Sequence, residues 1–339
     1  MRILSSLILS VAIAGTLSAQ NASHYTVTHT YALGGDGSWD YVVPDAGHHR
    51  VFIGRQDRVM VVDEQTGKLL GAVSGIHGAH GTAIAEASGH GFATSGNDSS
   101  VVMFDLNTFK PLGRVHAAED ADAIIYDRAS NRVFTFNGDA HSSTVIDPIS
   151  GKLVTNIDLG GKPEYGASAS DGKVYVNLTD KSEVVEIDAK ALRVTRRWST
   201  PGCTNPVAMA IDVKHQRLFS GCRSGVMAVS DYKAGKVVAT APIGSGVDGV
   251  AFDPSTGDAF AANADGTLTV IHQDSPDVYH VVETVKTMTG SRNVGLDPVT
   301  HTLWLAGATF EPTPAAPAGT RQRPKMVPGS FVLMTIERR

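Results

Sequence analysis

DAIIYDRASNRVFTFNGDAHSSTVIDPISGKLVTNIDLG, residues 122–160, alternates short apolar runs with turns. DAIIYD (122–127) leads into RASNR. VFTF stops at Asn137-Gly138, STVID meets PISGK, and LVTNIDLG closes the unit. Short β-branched and apolar runs bounded by Gly, Asn, Asp and Pro are strand signals. The unit therefore reads as four strands.

It recurs along the chain. The runs VFIG, GFAT, VFTF, VYVN, LFSG, AFAA and LWLA carry Phe52, Phe92, Phe134, Tyr175, Phe219, Phe260 and Trp304, at spacings of 40, 42, 41, 44, 41 and 44. A second, acidic ladder of the same period follows: Asp63, Asp105, Asp147, Asp188 and Asp231. Two ladders of one period predict seven repeats. Four strands in about 42 residues is the pattern of a propeller blade. The expected fold class is all-β, a seven-bladed β-propeller with four-stranded blades. The last repeat holds only three strands, in GLDPVT, TLWLAG and SFVLMTIE. HYTVTHTYAL (24–33) supplies the fourth. Pairing the two ends of the chain would remove exposed sheet edges.

Composition agrees with this reading. The chain has 339 residues, 42% hydrophobic, enough for a sizeable core. A charged fraction of 19% and a net charge of −5 disfavour a disordered chain or a basic nucleic-acid binder. Two Cys among 339 residues exclude a small disulfide scaffold. Met1-Arg2, the uncharged run ILSSLILSVAIAGTL (3–17), and small residues at Ser18, Ala19 and Ala22 read as a secretory signal peptide, residues 1–22. The run is short for a membrane span. A single domain over 23–339 is expected, periplasmic or secreted, with no membrane span once the signal is removed.

VYVNLTDKSEVVEIDAKALRV (174–194) and VVATAPIGSGVDGVAFDPSTGDAF (237–260) resemble the YVTN repeat of exported prokaryotic propellers, the YncE-like group. The resemblance runs from about residue 36 to the end. The Thr-Asn of that repeat stands here as Asn177-Leu178, Asn263-Ala264 or Gly54-Arg55. It implies the same fold and an exported protein. The family mixes binding, surface-layer and enzymatic members.

In a propeller the innermost strand and its feeding loop line the channel mouth. The residues five before the acidic end of strand one are Asp40, His80, Asp122, Glu164, Val207, Asp248 and Arg292. All but Val207 are polar. Carboxylates brought together raise one another's pKa and attract a cation, and oxygen ligands with a His suit a divalent ion. The alternative is a channel cap in which these groups pair internally, Arg292 with Asp248 and Asp40. The pair His77 and His80 lacks a local third ligand and the helical H-E-x-x-H frame, so metal content stays open. His48, His49, His215 and His301 fall in turns on the opposite face and read as solvated. Trp39 adjoins the ring and is a mouth candidate for stacking or rim packing.

Cys203 precedes strand one of the fifth blade and Cys222 ends its strand two, so antiparallel pairing brings them together as a disulfide. FEPTPAAPAGTRQRPKMVPG (310–329) interrupts the last blade on the mouth side. It is a Pro-rich insertion carrying Arg321 and Arg323, read as a lid, a docking arm or a plain insertion. No nucleophile elbow, P-loop, dinucleotide or haem-attachment motif occurs. Two functions follow. One is an exported propeller binding protein taking a small ligand, a cation or a protein partner at the mouth. The other is a metal-assisted propeller hydrolase, lactonase or lyase using the carboxylate ring and His80.

Overall fold

The computed structural model describes residues 24–312 and 324–339. The signal-peptide assignment (1–22) and both Arg321 and Arg323 lie outside these residues. Among the described residues, twenty-eight strands form seven four-stranded antiparallel sheets. Strand β1 is Tyr25–Ala32. Blade one holds β2 (Val42–Asp45), β3 (Arg50–Arg55), β4 (Arg58–Asp63) and β5 (Leu69–Val73). Blade two holds β6 (Ala79–Ala85), β7 (His90–Ser95), β8 (Ser100–Asp105) and β9 (Pro111–His116). Blade three holds β10 (Ala121–Asp127), β11 (Arg132–Asn137), β12 (Ser142–Asp147) and β13 (Lys152–Asp158). Blade four holds β14 (Pro163–Ser168), β15 (Lys173–Leu178), β16 (Glu183–Asp188) and β17 (Arg193–Ser199). Blade five holds β18 (Pro206–Asp212), β19 (Arg217–Cys222), β20 (Val226–Asp231) and β21 (Lys236–Pro242). Blade six holds β22 (Val247–Asp253), β23 (Asp258–Asn263), β24 (Thr267–Ser275) and β25 (Val278–Lys286). Blade seven holds β26 (Val294–Asp297), β27 (Thr302–Gly307) and β28 (Val332–Arg338), completed by β1.

The first strands of successive blades touch all the way round, β26 returning to β2, so the ring is closed. Strand β1 runs antiparallel to β28, from Tyr25 opposite Arg338 to Ala32 opposite Val332. Tyr25 is buried and its hydroxyl donates to Asp258 Oδ2 of blade six at 2.8 Å. The N-terminal strand therefore ties blade six to blade seven.

The aromatic ladder is core. Phe52, Phe92, Phe134, Tyr175, Phe219, Phe260 and Trp304 are all buried between blades. Each such side chain contributes about 1.5–3 kcal/mol of burial. The acidic ladder has a local cause. Asp147 Oδ1 accepts from the backbone N–H of Ile149 and Ser150 and from the Ser150 hydroxyl, at 3.2, 2.9 and 2.9 Å. Asp63, Asp105, Asp188 and Asp231 hold the turn between strands three and four the same way. An Asp side chain that satisfies two turn N–H groups favours the turn over continued strand.

A second set of aspartates ends strand one on the face away from the mouth. Asp45, Asp127, Asp212, Asp253 and Asp297 are nearly fully buried. The histidines expected to be merely solvated are their partners, or partners of a neighbouring acid. His48 contacts Asp45, His215 contacts Asp212, His301 of blade seven contacts Asp253 of blade six, and His49 contacts Glu64. A buried carboxylate demands a donor, and an imidazole at the rim provides one while staying half-exposed.

Cys203 and Cys222 form a disulfide with Cα atoms 5.4 Å apart, bridging 19 residues. The insertion in blade seven begins and ends as a short stem. Phe310 pairs with Met326, and Glu311 N–H donates to the Lys325 carbonyl at 2.8 Å. Phe310 and Phe331 pack on Trp39 with ring centres 6.0 and 5.5 Å away. Among the described residues no helix is long and apolar enough to cross a membrane.

Candidate functional site at the channel mouth

Strand one of each blade starts at the mouth, so each ring residue sits at or just before a strand start. Asp40 lies two residues before β2, and Arg292 two before β26. His80, Asp122, Glu164, Val207 and Asp248 are the second residues of β6, β10, β14, β18 and β22. A Cβ at Gly54 would collide with the His80 carbonyl, so glycine there lets β6 close onto β3.

The ring divides into two groups. In one, His80 Nδ1 lies 2.6 Å from Asp40 Oδ2 and 3.4 Å from Asp122 Oδ1. Asn293 Nδ2 donates to Asp40 Oδ1 at 3.1 Å. Asp122 Oδ1 is buried and accepts no hydrogen bond. In the other group, Asp248 receives Arg223 Nη2 on Oδ1 at 2.7 Å and Arg292 Nε on Oδ2 at 2.8 Å. Arg292 thus pairs with Asp248, while Asp40 pairs with His80 and Asn293. Val207 is buried and apolar.

The electrostatics follow from burial and crowding. Burial pushes Asp122 well above the usual carboxylate range; Asp40, Glu164 and Asp120 add to the rise, and His80 opposes it. Burial, with the charges of Asp248 and Asp40, pushes Glu164 up to about 7, against Arg223 and Lys162. Asp248 is raised by burial and by Asp40, with Arg292 and Arg223 opposing. For His80, burial disfavours the imidazolium, but the Asp40 hydrogen bond and the charges of Asp122, Asp40 and Asp120 outweigh it. The net result is a rise to about 9. His80 is therefore a cation at neutral pH, held between two carboxylates.

Beneath the ring, the Tyr41 and Tyr165 rings approach to 5.0 Å. They border a cavity of about 20 Å³ with Ala208, Met209, Asp248 and Val294. That volume holds about one water molecule. Burial, reinforced by Asp122, Asp40, Glu164 and Asp248, raises the Tyr41 phenol far above its ordinary value, so it stays neutral.

One atom each of Asp40, His80 and Asp122 lies within 4.8 Å of the others, a separation that suits a single divalent ion. Among the described residues, these three are the mouth residues grouped closely enough to share one. His77 is not among them. Sequence reasoning missed Arg223, Tyr41, Tyr165 and Asn293. Three of the four directly follow a ring residue, and Arg223 follows Cys222 in the loop between strands two and three, the loop expected on this face.

No protein-family model matches the chain, and no curated protein sequence matches it. Many solved chains resemble it in structure. One of them, titled "Kuenenia stuttgartiensis Hydrazine Synthase", superposes with a TM-score of 0.69 at 15% identity, covering 78% of this chain and 91% of that chain. The chain is a seven-bladed β-propeller. At such identity the likeness extends to the fold alone. The propeller is a scaffold compatible with binding a ligand or a protein, and its own mouth residues must carry any further reading.

Proposed function

We propose that this chain is an exported propeller of the YVTN-repeat, YncE-like kind that binds a small cationic ligand at its acidic mouth. One observation carries the reading: Asp40, Asp122, Glu164 and Asp248 converge on one mouth, and three of them are raised because burial leaves their charge undercompensated. A bound cation would relieve that repulsion. The two arginines and His80 leave the Asp122 Oδ1 atom without a hydrogen bond, so compensation is incomplete. Export rests on the apolar run 3–17 and on the Cys203–Cys222 disulfide, which belongs to an oxidising compartment. YVTN membership rests on the quoted repeats.

The test is calorimetric titration of the purified protein with Ca²⁺, Mg²⁺, Zn²⁺ and a small diamine, with metal analysis of the natively purified protein. Saturable binding that weakens about tenfold or more in Asp122→Asn and Glu164→Gln is expected. Absence of binding for every cation tried would overturn the proposal.

A second reading, metal-assisted hydrolysis or elimination, is favoured by the Asp40–His80–Asp122 grouping. It is the weaker one. An imidazole with a pKa near 9 holds its proton at neutral pH and is a poor general base there.

A further inference from the structure

Near the face opposite the mouth, two histidines stand directly across from one another on the outer strand pair of blade six. His272 of β24 is paired in register with His280 of β25. Directly opposed residues of antiparallel strands bring their side chains together on one face of the sheet. The two ring centres are 5.8 Å apart, and the rings are inclined at 67°. Two imidazoles bound to one ion through M–N bonds of about 2.0–2.1 Å have ring centres about 5–6 Å apart.

Each ring is held by one nitrogen. His272 Nδ1 lies 2.7 Å from Asp258 Oδ1, and His280 Nδ1 lies 2.6 Å from Asp274 Oδ2. Asp258 is itself fixed: it is buried, and its other oxygen accepts the Tyr25 hydroxyl at 2.8 Å. A carboxylate on Nδ1 places the proton there and leaves the Nε2 lone pair outward. It also makes the imidazole a stronger donor, which is how proteins prepare histidines for metals. The side chains are 37% and 45% exposed, open to a hydrated ion. The two aspartates add negative charge beside them.

We infer that His272 and His280 form a site for one divalent transition-metal ion, Zn²⁺, Cu²⁺ or Ni²⁺, bound through both Nε2 atoms with water completing the coordination. Imidazole donors select these ions over Ca²⁺ and Mg²⁺. The site is independent of the mouth and of the function proposed there. It would clamp the end of the β24–β25 hairpin, which projects as nine-residue strands where most neighbouring strands have six or seven.

The test uses the full chain in an Asp122→Asn background, which weakens any metal binding at the mouth, and reads the site by the effect of its own histidine variants. Zn²⁺ titration should give one ion per chain. His272→Gln or His280→Gln should weaken it at least tenfold, and Asp274→Asn by about tenfold. With Cu²⁺, electron paramagnetic resonance should show coupling to two imidazole nitrogens, falling to one in either histidine variant. His280 is exposed, so His280→Gln keeps the fold, which metal-free melting verifies. No Zn²⁺ or Cu²⁺ binding, an affinity unchanged by His280→Gln, or a Cu²⁺ spectrum without imidazole nitrogen would overturn the inference.

Discussion

Replacing Glu164 by Gln should stabilise the protein, and the gain should depend on pH in a defined way. Glu164 is largely buried beside Asp248 and Asp40, and its pKa rises from 4.5 to about 7. A carboxyl whose folded-state pKa lies above its unfolded value is penalised wherever it must ionise. Below about pH 4.5 both states hold the proton, and the penalty is absent. It grows between 4.5 and 7 and is complete above 7. At about 1.4 kcal/mol per pH unit, this rise corresponds to about 3 kcal/mol of lost stability at pH 8. Gln keeps the shape and removes the charge. For a chain of this size the expected rise in melting temperature is about 4 °C at pH 8, vanishing near pH 4. Urea denaturation of wild type and variant at several pH values measures it. Parallel stability–pH curves, or a less stable variant at pH 8, would show that the mouth does not hold Glu164 under electrostatic strain. The same logic links to ligand binding. A cation that neutralises the mouth should raise the melting temperature of the wild type more than that of Glu164→Gln.

Three further outcomes are expected. Changing both Cys203 and Cys222 to Ser opens a 19-residue bridge and should cost about 3 kcal/mol in urea denaturation; an unchanged midpoint would contradict a structural role. Deleting residues through Ala32 strips β28 of its outer partner and should cause aggregation visible by light scattering, whereas a monodisperse monomer would mean the ring does not depend on terminal closure. Asp147→Ala removes the acceptor for two turn N–H groups and a hydroxyl and should cost about 1–2 kcal/mol at neutral pH. The Ser150 backbone bond leads the lowering of the Asp147 pKa, so this wild-type advantage should disappear as pH falls below about 4.

The legible and the illegible parts of this molecule divide along range of interaction. The acidic ladder could be read because each Asp acts within its own turn: Asp63 and Asp231 satisfy groups two and three residues away. The aromatic ladder could be read because every blade must bury one bulky residue at the same depth. Disulfide pairing followed from one hairpin. The fold and the convergence of Asp40 with Asp248 on one mouth are therefore consequences of periodicity. The pairing inside that mouth is not. Arg292 was placed equally near Asp40 and Asp248, and only side-chain direction gave Asp248 both Arg292 and Arg223 and left Asp40 to His80 and Asn293. Among the turn histidines, His48 and His215 meet an Asp three residues earlier in the same turn, but the acid that receives His301 belongs to another blade. Repetition determines architecture, since each repeat solves the same packing problem locally. The choice of partner among like charges at a shared centre depends on distances of a few tenths of an ångström, and only the closed ring sets those.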